Sequence, residues 1–192
     1  MSTTTPVSTI VNVAITSVTS NTLGFGAPYT YSLAGILSLP DGNNSNFSIA
    51  NNLLQILAAQ GTPALVSFQL PVNPTSLLVG YYIPGIIPNP VSSVVAITFS
   101  FNSITFGPNS PLSSPNCYLN STAEPVTVTI LDWTVTVPPY SINILDPNNG
   151  AAWTDSYTIN FTGTGVPGSG TQNFPLDPLL ENDQVVGKGS GH

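Results

Sequence analysis

From Gly42 to Ala123 the chain carries no Lys, Arg, Asp or Glu. A soluble chain with so long an uncharged run must draw its polar surface from Ser, Thr, Asn and Gln. It must also hide a large apolar content, since hydrophobic residues make up 41% of the sequence. Alternation with period two does both, because successive side chains of a strand point to opposite faces. In TIVNVAITSV, Val11, Val13 and Ile15 fall on one face, and Asn12 and Thr16 on the other. Similar strand patterns, rich in Val, Ile, Thr, Phe and Tyr, occupy 29–39, 64–70, 76–83, 93–101, 126–137, 140–145 and 156–163.

One segment departs from this pattern. FSIANNLLQILAAQG places Ile49, Leu53, Ile56 and Leu57 at helical spacing, with Ser48 as N-cap and Gly61 in the C′ position. The spacing predicts a short amphipathic α-helix over 48–60, packed against a sheet. About eight turn-punctuated strands without βαβ alternation then predict an all-β fold, an antiparallel β-sandwich of jelly-roll or immunoglobulin-like topology.

A sandwich has sheet margins, and proteins usually guard them with Lys or other charges, with prolines or with bulges. The uncharged run offers no charged guards, so either prolines and bulges protect its margins or the margins pair with a neighbouring molecule, the second being the assembly expectation. After residue 165 the alternation fades and Gly and Pro cluster. The expected organisation is a sandwich domain over 1–165 and an extended arm or tail over 166–192, with Phe174, Leu176, Leu179 and Leu180 as candidate anchors on a neighbouring subunit.

Composition narrows the partners. Charged residues make up 5% of the chain, against roughly 25% in an ordinary soluble domain. The formal charge is −7 with Lys188 as the one basic side chain, so no nucleic-acid partner is expected. The most apolar stretch, LLVGYYIPGIIP, is short and broken by two prolines, so no membrane insertion is expected. Cys117 is the only cysteine and precludes an internal disulfide. The opening MSTTTPVST lacks the basic and apolar regions of a cleavable signal peptide, and the ending GKGSGH reads as a linker followed by the start of a tag.

The stretch INILDPNNGAAWTDSYTINFTGTG, 142–165, resembles the opening of immunoglobulin-like modules of microbial and fungal surface proteins. It covers about an eighth of the chain, and the resemblance implies a sandwich and no activity.

Catalytic chemistry has few carriers. The one histidine, His192, is terminal, there is no arginine, and Cys117 lacks a base, so nucleophilic catalysis is not expected. Glycoside hydrolysis needs two carboxylates about 5–10 Å apart, for which Asp132 with Glu124 or Asp146 are the candidates. The turns DGNNSN (41–46) and DPNNG (146–150) offer oxygen ligands without the spacing of a calcium loop. No cofactor or metal is expected. Sequons begin at Asn43, Asn46, Asn120 and Asn160. Tyr81, Tyr82 and Trp153 are the candidate ligand-facing aromatics for a glycan.

These features lead to one expectation with a runner-up. The first is a non-enzymatic structural subunit of a virus particle (capsid, decoration, spike or fibre) or of an extracellular filament, displayed on a virion or cell surface and acting by self-assembly into a homo-oligomer. The second is a secreted adhesin or carbohydrate-binding module.

Overall fold

The computed structural model describes residues 4–21, 30–71, 75–82, 92–108, 110–150, 152–166, 170–177 and 179–182. The chain is built almost entirely of strands: β1 (Val7–Asn21), β2 (Thr30–Ser38), β3 (Phe47–Ala50), β4 (Leu53–Ile56), β5 (Ala64–Gln69), β6 (Thr75–Tyr82), β7 (Ser92–Phe106), β8 (Cys117–Asn120), β9 (Val126–Ile130), β10 (Trp133–Val137), β11 (Ser141–Asp146), β12 (Trp153–Val166), β13 (Gly170–Leu176) and β14 (Leu179–Asn182). A single turn of 3-10 helix, Ser114–Asn116, precedes β8.

Two large sheets face each other. One has the order β2-β1-β5-β11-β8, the other β3-β4-β14-β12-β7-β6, with β13 pairing beside β14 along the same side of β12. Most pairings are antiparallel, while β1–β5 and β4–β14 are parallel. Inward residues of both sheets form one core: Val11, Val13 and Ile15 from β1, Val66 and Phe68 from β5, and Ile142 and Ile144 from β11 meet Ile97 and Phe99 of β7 and Tyr157, Ile159 and Phe161 of β12. Burying each of these large side chains contributes about 1.5–3 kcal/mol.

A third layer covers one sheet. The hairpin β9–β10 lies over its outer face, where Ile130, Val135 and Val137 pack on Leu65 of β5 and Leu145 of β11. For this reason every residue of β11 is buried, and β5 is buried through five of its six positions.

The helix expected over 48–60 is not formed; that segment is the hairpin β3–β4. Its two turn residues, Asn51 and Asn52, have φ of 53° and 60°, the left-handed region that a two-residue type I′ turn needs and that Asn tolerates. The burial that matters follows strand parity: Phe47 on one strand and Leu54 and Ile56 on the other enter the core. The helical spacing of Ile49, Leu53, Ile56 and Leu57 reflects two short strands placed end to end.

The segment 126–137, expected as a single strand, folds back at Leu131 and Asp132 into β9 and β10. Leu131, with φ of 53°, is a residue type that rarely marks such a turn. The boundary drawn at 165 falls inside β12. Beyond it, β13 and β14 return along β12, and Phe174 and Leu176 are buried in the core of their own chain. They are not anchors of an arm on a neighbour. Leu179 and Leu180 pair with Ser156 and Asp155 of β12 and with Leu53 and Leu54 of β4; their side chains lie outside the described residues.

Candidate functional site

The margins of the sheets come first, because an unpaired strand edge is a template for another strand. At the β2 margin the Leu37 N–H donates to Oδ1 of Asn52 at 3.1 Å, and Nδ2 of Asn52 donates to the Gly35 carbonyl at 2.9 Å. One carboxamide thus mimics a strand partner, presenting an acceptor and a donor side by side. The β3 margin is closed in the same way. Oδ1 of Asn43 accepts from the Ile49 N–H at 2.9 Å, Oδ1 of Asn44 accepts from the Phe47 N–H at 2.9 Å, and the Asn44 N–H donates to the Phe47 carbonyl at 2.8 Å. Pro175 interrupts the donors of β13, and β8 is only four residues long. Neutral amides and prolines therefore guard these edges where charges are usual.

Strand β6 differs. Among the described residues no strand pairs with its outer side, it is eight residues long, and it contains neither proline nor charge. Leu78, in its middle, is 77% exposed, more than any other exposed large apolar residue described, ahead of Ile36 at 55%.

The Asn52 cap makes a separable prediction. Asn52→Ala removes both margin bonds and places alanine in the left-handed region, and is expected to lower stability by about 1–3 kcal/mol. Asn52→Gly should recover only the turn component. Urea unfolding measures both, and the Ala variant should also form larger species at high concentration as the β2 edge opens.

A cleft of about 480 Å3 opens on the outer face of the five-stranded sheet. Ser8 and Ile10 of β1 and Ser67 of β5 line it on the sheet side, Asp41 and Asn44 come from the β2–β3 connection, and Pro138 and Pro139 from the segment leading into β11. Sequence reading missed this group. Its members are far apart in the chain, and their only shared signal is that outward-facing positions of β1 and β5 converge beside two Pro/Asn-rich turns.

The residues singled out for chemistry do not converge. Glu124 and Asp132 flank opposite ends of the five-residue β9, which separates their backbones by about 15 Å. Asp146 is buried in another layer, and its Oδ1 accepts the Asn148 N–H at 2.8 Å. In the 41–46 and 146–150 turns the side-chain oxygens of Asn43, Asn44 and Asp146 face backbone N–H groups, so turn geometry accounts for the sequence of both. No group of three or more His, Cys, Asp or Glu side chains suited to a metal occurs among the described residues.

Cys117 is half-buried, and burial pushes its thiol up to about 12, so it remains protonated at neutral pH. The Tyr157 hydroxyl is enclosed in the core without a hydrogen-bond partner among the described residues, and burial raises its pKa well above the ordinary range. Neither offers an activated nucleophile.

The aromatic candidates are also dispersed. Tyr81 and Tyr82 stand opposite Ser93 and Ser92 at the start of β7, and their side chains lie outside the described residues. Trp153 lies beyond the far end of the same strand, which pairs with β12 from Phe106 at Tyr157. The length of β7 puts about 45 Å between them. Trp153 is partly buried against the main core. Of the sequons, Asn120 is buried and its Nδ2 already donates to the carbonyls of Glu124 and Pro138, which leaves no room for a glycan. Lys188 and His192 lie outside the described residues.

The fold and margins define an all-β sandwich with an applied hairpin layer. No protein-family model matches the chain, and no curated protein matches it in sequence.

Proposed function

We propose that this chain is a non-enzymatic structural subunit that assembles with copies of itself through the outer edge of β6, as a component of a virus particle or of an extracellular surface filament. The contrast between margins carries the reading. The β2 and β3 edges have side-chain caps from their own chain, whereas β6 is long, neutral, free of proline and centred on the exposed Leu78. A second β6 laid antiparallel would continue the larger sheet across the interface, with backbone hydrogen bonds giving affinity and Leu78 apolar contact. The scarcity of charge suits such a contact, because no ion pairs need be desolvated. It also leaves association with little electrostatic steering, so the oligomer should be insensitive to salt.

Light scattering across micromolar to millimolar protein tests this. The chain is expected to form dimers or larger species at low and high salt alike, and Leu78→Lys is expected to return it to monomer by placing a charge at the centre of the contact. Leu78 is exposed, so the substitution should leave the melting temperature of the monomer unchanged. A strictly monomeric chain over that range contradicts the proposal, as does an oligomer indifferent to Leu78→Lys.

A further inference from the structure

The cleft on the outer face of the five-stranded sheet is separate from β6, which lies in the other sheet. At its floor, Ser67 is only 3% exposed, and its hydroxyl, which opens on the cleft, makes no hydrogen bond to any described residue. Asp41 stands at the rim, and its carboxylate likewise accepts no hydrogen bond from a described residue. The walls are held in place from behind. The Pro138 carbonyl accepts from Nδ2 of Asn120 at 2.8 Å and from Oγ of Ser141 at 2.7 Å, and the Pro139 carbonyl from Nε2 of Gln69 at 3.1 Å. The Asn44 carboxamide is fixed by the N–H groups of Asn46 and Phe47.

We propose that this cleft binds a neutral saccharide, with Asp41 and Ser67 holding its hydroxyl groups and Ile10 and Pro139 meeting its C–H face. The volume lies within the roughly 300–1,000 Å3 of small-ligand sites. The lining has no cationic side chain, which disfavours phosphate, sulfate and carboxylate ligands. It has a single carboxylate, too few charged oxygens for a calcium site. What remains is a mostly polar lining of hydroxyl, amide and carboxylate groups interrupted by the apolar surfaces of Ile10 and Pro139. A sugar matches it, because each of its hydroxyls both donates and accepts while its ring carbons present an apolar face. Preorganised walls lower the ordering cost of binding. This site is independent of the assembly reading, since binding and sizing are measured separately.

The test uses the full chain on an array of unsialylated oligosaccharides of glucose, galactose, mannose and N-acetylglucosamine, with sialylated and sulfated glycans and spermine beside them. The best binder is then titrated by calorimetry, and its site is mapped by amide chemical shifts. The expected result is saturable binding of a neutral glycan that shifts Ser8, Ile10 and Ser67. Asp41→Asn and Ser67→Ala should each weaken it by about tenfold, the loss of one strong hydrogen bond. Both variants should fold, since Asp41 is exposed and Ser67 gives up no protein partner, and thermal melting confirms this independently of binding. The proposal is overturned if no neutral glycan binds at millimolar concentration, or if only spermine or acidic glycans do. It is also overturned if a neutral glycan binds with undiminished affinity to both variants.

Discussion

Asn148→Ala should destabilise the fold by about 3–5 kcal/mol, among the largest effects of any single substitution in this chain. Asn148 is 1% exposed, and its Nδ2 donates to three carbonyls, those of Ala58 at 3.0 Å, Ala59 at 2.9 Å and Thr62 at 3.0 Å. One amide group with two hydrogens thus ties the β4–β5 connection to the turn after β11. The backbone carbonyl of Asn148 closes the contact from the other side, accepting the Gly61 N–H at 2.7 Å. Alanine would take the side-chain donor from all three carbonyls, of which only that of Ala59 keeps a backbone donor, the Thr62 N–H at 2.9 Å, and it would also have to hold a φ of 53°.

Two further variants separate these causes. Asn148→Gly should recover about 1 kcal/mol, the backbone part alone. Asn148→Asp should be no better than Ala, because a carboxylate would face three carbonyl oxygens. Urea unfolding of the three variants gives the ranking. A cost below 1 kcal/mol for Asn148→Ala would mean that this tether does not hold the two connections together.

The second large effect lies at Gly163 in β12. A Cβ there would stand 2.3 Å and 2.8 Å from ring carbons of Phe174 and 3.0 Å from the Ile97 Cγ2. The Phe174 ring cannot retreat easily, since it is fully buried and packs edge-on against Phe99 with centroids 5.2 Å apart. Gly163→Ala is therefore expected to cost about 2–3 kcal/mol by overpacking. Phe174→Leu alone should cost about 1–2 kcal/mol through the space it leaves. Combined, the two should cost less than their sum, because the smaller side chain admits the new methyl group. Simple additivity in a double-mutant cycle would mean that Phe174 does not pack on Gly163 of its own chain, and would return it to the role of an arm.

The strands of the two main sheets were legible in the sequence where runs rich in Val, Ile, Thr, Phe and Tyr were long, as around Val11–Ile15 in β1 and Ala64–Gln69 in β5. Four-residue strands were not. Phe47–Ala50 and Leu53–Ile56 together fit a helical template because eight residues around a two-residue turn sample both periods. The pair Asn51–Asn52 was the discriminating signal, since adjacent asparagines suit a type I′ turn and sit poorly inside a helix. The return strand β13 was obscured by Pro175, which reads as a breaker but is tolerated on a strand margin.

The candidate sites were less legible still. The charge-free run marked margins without charged guards, but the sequence could not say which edges the chain would cap itself. That depended on Asn43, Asn44 and Asn52 reaching backbone groups across turns. An asparagine that caps an edge and one that faces water look alike in a sequence. The cleft was hidden for a related reason: Ser67 and Asp41 acquire a shared purpose only once β5 and the β2–β3 connection are folded side by side.

Hydrogen exchange of the backbone amides of β2, β3 and β6, measured at several protein concentrations, tests the central contrast between margins most directly. The Leu37 and Ile49 amides should be protected equally at all concentrations, because their acceptors belong to the same molecule. Amides of β6 on its outer side should exchange rapidly in dilute protein and slow as concentration rises and a second copy covers them. Protection of β6 that does not change with concentration, or protection at β2 and β3 that appears only in concentrated protein, would contradict the account.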